Sequence, residues 1–211
     1  MAHFRKPLAA AVVLNAAIFV VEAVAGFEAQ SLSLIMDAVH NLSDEAALVF
    51  LYLAFVLREG ISRNLLRSAN LFNSVGLIVV SALLMWQAIE RLFHPIPVSA
   101  TVPVVVGLAA AAGNWGVAWL LKGPGESNAA IRLAYIHNVG DVYVSLIPVL
   151  AGLLVSATGS SFFDPLLAGL VAVWLVASTL REVIISRDEL ISPPKIVCGH
   201  SSHAEGRDPA R

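Results

Sequence analysis

Six apolar stretches fill most of this chain, at about 8–27, 33–57, 69–93, 99–121, 129–157 and 162–185. Each reaches the roughly 20 residues that a membrane-crossing helix needs. A segment in lipid must satisfy its own backbone, so such a chain folds as a helical bundle. The breaks carry helix-ending chemistry: Arg58-Glu59-Gly60, His94-Pro95-Ile96-Pro97 and Lys122-Gly123-Pro124-Gly125. The first stretch is too long for a signal-peptide core and holds Glu22. Of 211 residues, 58% are hydrophobic and 13% charged, against about 25% charged in a soluble domain. That composition excludes a soluble enzyme and a disordered chain. Thirteen basic residues against 15 acidic ones leave no stripe for nucleic acid, and one cysteine excludes a disulfide framework. The expected fold is an all-α membrane protein, with a six-helix unit over 1–187 and a short polar tail over 188–211.

The basic residues orient it. With the N-terminus in the cytoplasm, Arg5, Lys6, Arg58, Arg63, Arg67, Lys122, Arg132, Arg181, Arg187, Lys195, Arg207 and Arg211 all lie inside, and Arg91 alone lies near the outer face. Six spans return the C-terminus to the cytoplasm. Short loops and a Lys/Arg-poor exterior fit a bacterial inner membrane.

Ionisable groups inside spans are costly and mark function. Here they are Glu22 in the first span, Asp37, His40, Asp44 and Glu45 in the second, and His137 and Asp141 in the fifth. His40-Asn41-Leu42-Ser43-Asp44 and His137-Asn138-Val139-Gly140-Asp141 are near copies. Residues four apart share a helix face, so each copy presents an imidazole above a carboxylate. At 1.5 Å rise per residue, His40 lies roughly 10 Å and Asp44 roughly 16 Å from one end of span two. On antiparallel span five, His137 lies roughly 12 Å and Asp141 roughly 18 Å from the opposite end. Asp141 therefore levels with His40, and His137 with Asp44. A structural His–Asp pair would account for one copy; two copies at matched depth favour a shared cage. Two imidazoles and two carboxylates suit tetrahedral Zn²⁺ and cancel its charge. Co²⁺ fits the same cage and Cd²⁺ less well, while Mg²⁺ and Ca²⁺ prefer six or more oxygens.

Other polar residues are open to more than one reading. Asp37, one turn above His40, suits either a place beside the site or its access path, or a solvated mouth. Glu22 suits either proton movement or a polar partner, and Asn41 joins these two as a pathway candidate. Glu45 points about 100° from Asp44, towards another helix or water. Asp164-Pro165 reads as the cap and first turn of span six. Asn15, Asn73 and Asn114 read as interhelical hydrogen-bond donors. Gly107, Ala111, Gly113 and Gly116 form a small-residue face on span four. The four tryptophans read as packing or belt residues. The tail residues Cys198, His200 and His203 are ligand types, but nothing nearby would preorganise them, so a flexible tail is favoured over a second metal site.

Three segments carry a family resemblance. Ser31-Leu32-Ser33-Leu34-Ile35-Met36-Asp37-Ala38-Val39-His40-Asn41-Leu42-Ser43-Asp44 resembles the span-two signature of the cation diffusion facilitator family of metal transporters. Ala88-Ile89-Glu90-Arg91-Leu92-Phe93-His94-Pro95 resembles the end of that family's third span. Asn128-Ala129-Ala130-Ile131-Arg132, followed by His137 and Asp141, resembles the start of its fifth. The resemblance covers about residues 8–187. It implies Zn²⁺ efflux in exchange for H⁺, with His40, Asp44, His137 and Asp141 as the transport site. Co²⁺, Cd²⁺ or Fe²⁺ are alternative substrates. Members usually continue into a cytosolic metal-binding domain that supports dimerisation, and this chain resembles a form without one. A homodimer would then rest on transmembrane helix contacts. Two alternatives from other classes are an intramembrane zinc hydrolase and a non-transporting membrane metal sensor. The hydrolase reading suffers because all four positions are filled by protein and no H-E-x-x-H occurs.

Overall fold

The computed structural model describes residues 2–56 and 63–185. Arg58-Glu59-Gly60, the tail over 188–211 and its Cys198, His200 and His203 lie outside the described residues. Among the described residues seven helices follow one another: α1 Ala2–Glu28, α2 Leu32–Val56, α3 Arg63–Phe93, α4 Thr101–Ser127, α5 Ala129–Val144, α6 Leu146–Thr158 and α7 Phe163–Ile185. Among the described residues there is no strand.

The helices α5 and α6 are two halves of the span expected as one. Pro148 has no N–H to offer the Val144 carbonyl and its ring crowds that turn, so the helix breaks at Ser145. A second difference lies in α4, which runs through the Gly123-Pro124-Gly125 break to Ser127. Proline removes only one bond there. The helix stops at Asn128, whose extended backbone and side-chain oxygen cap α5 through Ala130 N at 3.0 Å and Ile131 N at 3.2 Å.

Five helical stretches among the described residues are long and apolar enough to cross a bilayer alone: Phe4–Glu28, Leu71–Phe93, Thr101–Ser127, Ala129–Thr158 and Phe163–Arg181. The 25-residue α2 is not among them. It carries the buried acids, and the bundle shelters it: every residue from Ser31 to Ala38 is buried. Helix α1 packs on α2 and α4, α4 on α5 and α6, and α3 on α7, while α2 touches both groups. Two glycines permit the closest approaches. A Cβ at Gly152 would fall 2.5 Å from the Ala100 carbonyl oxygen, and one at Gly107 2.9 Å from that of Ser145. The small-residue face of α4 thus serves two neighbours, since Gly113 and Gly116 meet Ile18 and Leu14 of α1.

The two ends of the bundle differ. At the far end, where α1 turns into α2, Leu32, Ile35, Met36, Leu84, Ala88, Ala168 and Val171 close α2, α3 and α7 into one apolar cluster. Towards the near end, where α1 begins and α4 meets α5, a second cluster joins α1, α2, α4 and α5 around Leu8, Leu48, Val117, Leu121 and Ile131. Between α3 and α7 on one side and α2 and α5 on the other, the near half stays apart. A cavity of about 670 Å³ opens there, lined by Leu51, Leu77, Ala134, Ser178 and Thr179, and it ends on His40, Asp44 and His137.

Asp164 differs from its expected role. Its carboxylate does not cap its own helix but the start of α2. It accepts from Ser31 Oγ at 2.7 Å, Leu32 N at 2.7 Å, Ser33 Oγ at 2.6 Å and Ser33 N at 3.3 Å. The first N–H groups of a helix lack partners within it, and here the partner comes from a residue 131–133 positions away in sequence.

Candidate metal centre

Helix periodicity places His40 over Asp44 on α2 and His137 over Asp141 on α5, and the antiparallel course of these helices turns the two faces together. His40 Nε2 lies 3.1 Å from Asp141 Oδ1 and 3.5 Å from Asp44 Oδ2. His137 Nε2 lies 2.7 Å from Asp44 Oδ1 and 3.8 Å from Asp141 Oδ1. The closest pairs, His40 with Asp141 and His137 with Asp44, are the two that equal depth calls for. One donor atom from each residue fits within 4.8 Å of all the others. A tetrahedron with arms of about 2.1 Å has edges of about 3.4 Å, so small shifts would close this set around a Zn²⁺-sized ion. Both imidazoles offer the same nitrogen.

Burial distinguishes the four. The side chains of His40, Asp44 and Asp141 are 4–8% exposed, whereas that of His137 is 51% exposed and faces the cavity. His137 is therefore the most accessible of the four. Asp44 Oδ2 and Asp141 Oδ2 receive no hydrogen bond, which leaves acceptor capacity aimed at the cage.

The structure gathers the remaining candidates into a separate cluster. Asn41 Nδ2 donates to Glu22 Oε2 at 2.6 Å, and Asn114 Nδ2 reaches Asn41 Oδ1 at 3.5 Å and Ser145 Oγ at 3.1 Å. Asn15 Nδ2 donates to the Asn41 carbonyl at 3.1 Å and to Glu45 Oε2 at 3.3 Å. Asn73 Nδ2 donates to Ser43 Oγ at 2.9 Å. All three asparagines thus bond between helices, and Glu45 faces α1. Asp37 is 2% exposed, so a solvated mouth position is ruled out; its carboxyl faces Glu22 instead. The reason is rotation: Asp37 and Asn41, four apart, share the α2 face that packs on α1.

Ser145 escaped the sequence reading, and Trp174, read there only as a packing or belt residue, packs at the site itself. Trp174 of α7 meets His40 in a T-shaped ring contact, with centroids 6.1 Å apart. Ser145 marks the helix break beside the Asn114 amide. An isolated tryptophan or serine in an apolar span gives no pattern by which to find either. Trp86, Trp115 and Trp119 are exposed on the outside of the bundle, as belt residues are.

Comparison with known proteins agrees with this architecture. The family profile described as the cation efflux transmembrane domain matches residues 8–191. The chain is 35% identical over 187 residues to the zinc transporter ZitB of Escherichia coli, covering 84% of this chain and 60% of the relative. It is 31% identical over 185 residues to the "Cadmium, cobalt and zinc/H(+)-K(+) antiporter" of Bacillus subtilis, covering 82% and 59%. The chain thus spans about three-fifths of the length of these curated relatives, which are named as transporters and not as enzymes. By profile, by similarity and by its bundle of apolar helices, this chain belongs to the cation efflux family, as an all-α integral protein of the bacterial plasma membrane.

Proposed function

We propose that the protein exports a divalent metal ion, Zn²⁺ first among them, in exchange for protons, by alternating access to the cage of His40, Asp44, His137 and Asp141. The observation that carries this reading is the convergence of two imidazoles and two carboxylates inside one 4.8 Å set at the blind end of an open cavity. Metal ligands must be deprotonated, so binding the ion displaces protons and acidity ejects it. Imidazole is the side chain that titrates nearest physiological pH, which suits His40 and His137 to that exchange. Relatives named for zinc, and for cadmium, cobalt and zinc, support the substrate class.

The cavity opens at the near end, where the N-terminus and the α4–α5 junction lie. The Lys/Arg bias assigns that end to the cytoplasm, so this conformation is the one that loads metal. The apolar cluster joining α2, α3 and α7 is then the closed external gate. The decisive experiment measures Zn²⁺ flux into proteoliposomes under an imposed pH gradient, with internal pH recorded. Uptake that depends on the gradient and moves protons the opposite way is expected; binding without flux would leave a sensor.

Access has its own test. In a Cys198→Ser background, Leu77→Cys on the cavity wall should react with a membrane-impermeant thiol reagent added at the cytoplasmic face. Zn²⁺ should slow that labelling. Reaction only from the external face would reverse the orientation.

A further inference from the structure

Two buried acids lie outside the ligand set. Glu22 on α1 is 0% and Asp37 on α2 is 2% exposed, and their carboxyl groups are within hydrogen-bonding reach of each other. The side chain of Asn41 donates to Glu22 Oε2. Glu22 Oε1 and both Asp37 oxygens receive no hydrogen bond from an amide or hydroxyl. The Ser145 hydroxyl faces Asp37 from the α5–α6 break, too loosely to satisfy it. On helix α4 the Asn114 amide bonds Asn41 and Ser145 rather than either acid. The charged neighbours are His40 on α2 and Asp141 on α5. All ion pairs found among the described residues lie at the metal cage and none reaches these two acids.

Two carboxylates in contact away from water repel, and a cation between them turns the contact into attraction. Hard metal ions such as Mg²⁺ and Ca²⁺ want six or more oxygens, far more than this pair supplies, and neither acid lines the cavity that reaches the cage. The cation that fits a direct carboxyl–carboxyl contact is H⁺. We propose that Glu22 and Asp37 form a proton site separate from the metal ligands, holding one proton between the two carboxyl groups and carrying part of the counter-ion flux.

The balance is simple. The bare pair carries two negative charges and, with the proton bound, one. That proton is taken from the acidic exterior when the cage faces outward and released to the cytoplasm before the next ion loads. Asn41 connects the two events, because it bonds Glu22 and adjoins His40 in α2. The inference rests on the proposed exchange of metal for protons, and the test separates the two.

Glu22→Gln keeps an oxygen for Asn41 and gives Asp37 a fixed N–H donor, so the contact survives without a titratable proton. In proteoliposomes, protons moved per Zn²⁺ should fall by one in Glu22→Gln and by one in Asp37→Asn. The double variant should lose no more than either, since one proton is shared. Co²⁺ should still give its tetrahedral absorption in all three, which checks that the cage is intact. Infrared spectra of the detergent-solubilised protein should show a protonated-carboxyl C=O band that Glu22→Gln removes. Zn²⁺ flux without proton movement in the unaltered protein would overturn the exchange itself. An unchanged proton-to-zinc ratio in both single variants, with exchange intact, would overturn the proton site and leave a structural pair. A second bound metal equivalent lost in Glu22→Gln would replace the proton by a metal.

Discussion

Asp141→Asn is expected to abolish zinc-dependent proton movement in proteoliposomes while leaving a folded protein. Its Oδ1 sits 3.1 Å from His40 Nε2 and 3.8 Å from His137 Nε2, so one oxygen serves both imidazoles. Asparagine fills the same volume and keeps an acceptor, which protects the packing. The charge is another matter. With two carboxylates, a divalent ion forms a neutral unit in the bilayer core; with one, the loaded cage carries a net positive charge. Leaving a buried charge uncompensated costs about 3–5 kcal/mol, equivalent to about a hundredfold to several-thousandfold in affinity. Calorimetric titration of Zn²⁺ in detergent measures that loss directly. Asp44→Asn should match it, because Asp44 stands to His137 as Asp141 stands to His40. Undiminished flux in either variant would refute the cage.

The second large effect is on the fold. Asp164→Ala should destabilise the protein by about 3 kcal/mol or more. The substitution strips the acceptor from two backbone N–H groups and two hydroxyls at the start of α2. Each buried donor left alone costs about 1–3 kcal/mol. The loss is tempered because Ser31 and Ser33, with oxygens 3.2 Å apart, can bond each other. Thermal unfolding in detergent should show the drop, and amide exchange should accelerate first at Leu32 and Ser33. Asp164→Asn, which keeps one oxygen, should fall between. Unchanged exchange at those amides would mean that α2 begins without this cap.

The transport consequence follows from position. Asp164 ties α7 to α2 at the far end, the end closed by the apolar cluster of α2, α3 and α7. In the proposed exchange, opening that end would part α7 from α2. Weakening the tie should therefore shift the carrier towards the outward-facing form as well as lowering its stability.

Much of this was legible along the chain. The all-α character of the chain and the pairing of His40 with Asp141 and His137 with Asp44 follow from two regular quantities, the length of an apolar run and the 1.5 Å rise of a helix. Those are local properties, and a bilayer turns them into depth. Helix ends were less readable. Lys122-Gly123-Pro124-Gly125 suggested a break that α4 passes through, because one lost bond near a helix end is tolerable. The converse happened at Pro148, where a span expected as one helix parts at Ser145.

What the sequence alone determined was therefore everything set by period and length: the apolar runs, their antiparallel course, and which imidazole stands level with which carboxylate. What only the tertiary structure decided was rotation and neighbour. Asp37 could have faced water and Asp164 its own helix; packing instead set Asp37 against Glu22, which also takes Asn41 as a polar partner, and Asp164 against the first turn of α2. The near-end cavity and the half-exposed His137 likewise come from how α3 and α7 lean on α2. The physical reason is that depth in a membrane is counted along one chain, whereas a buried polar group is satisfied by whichever helix packing brings beside it.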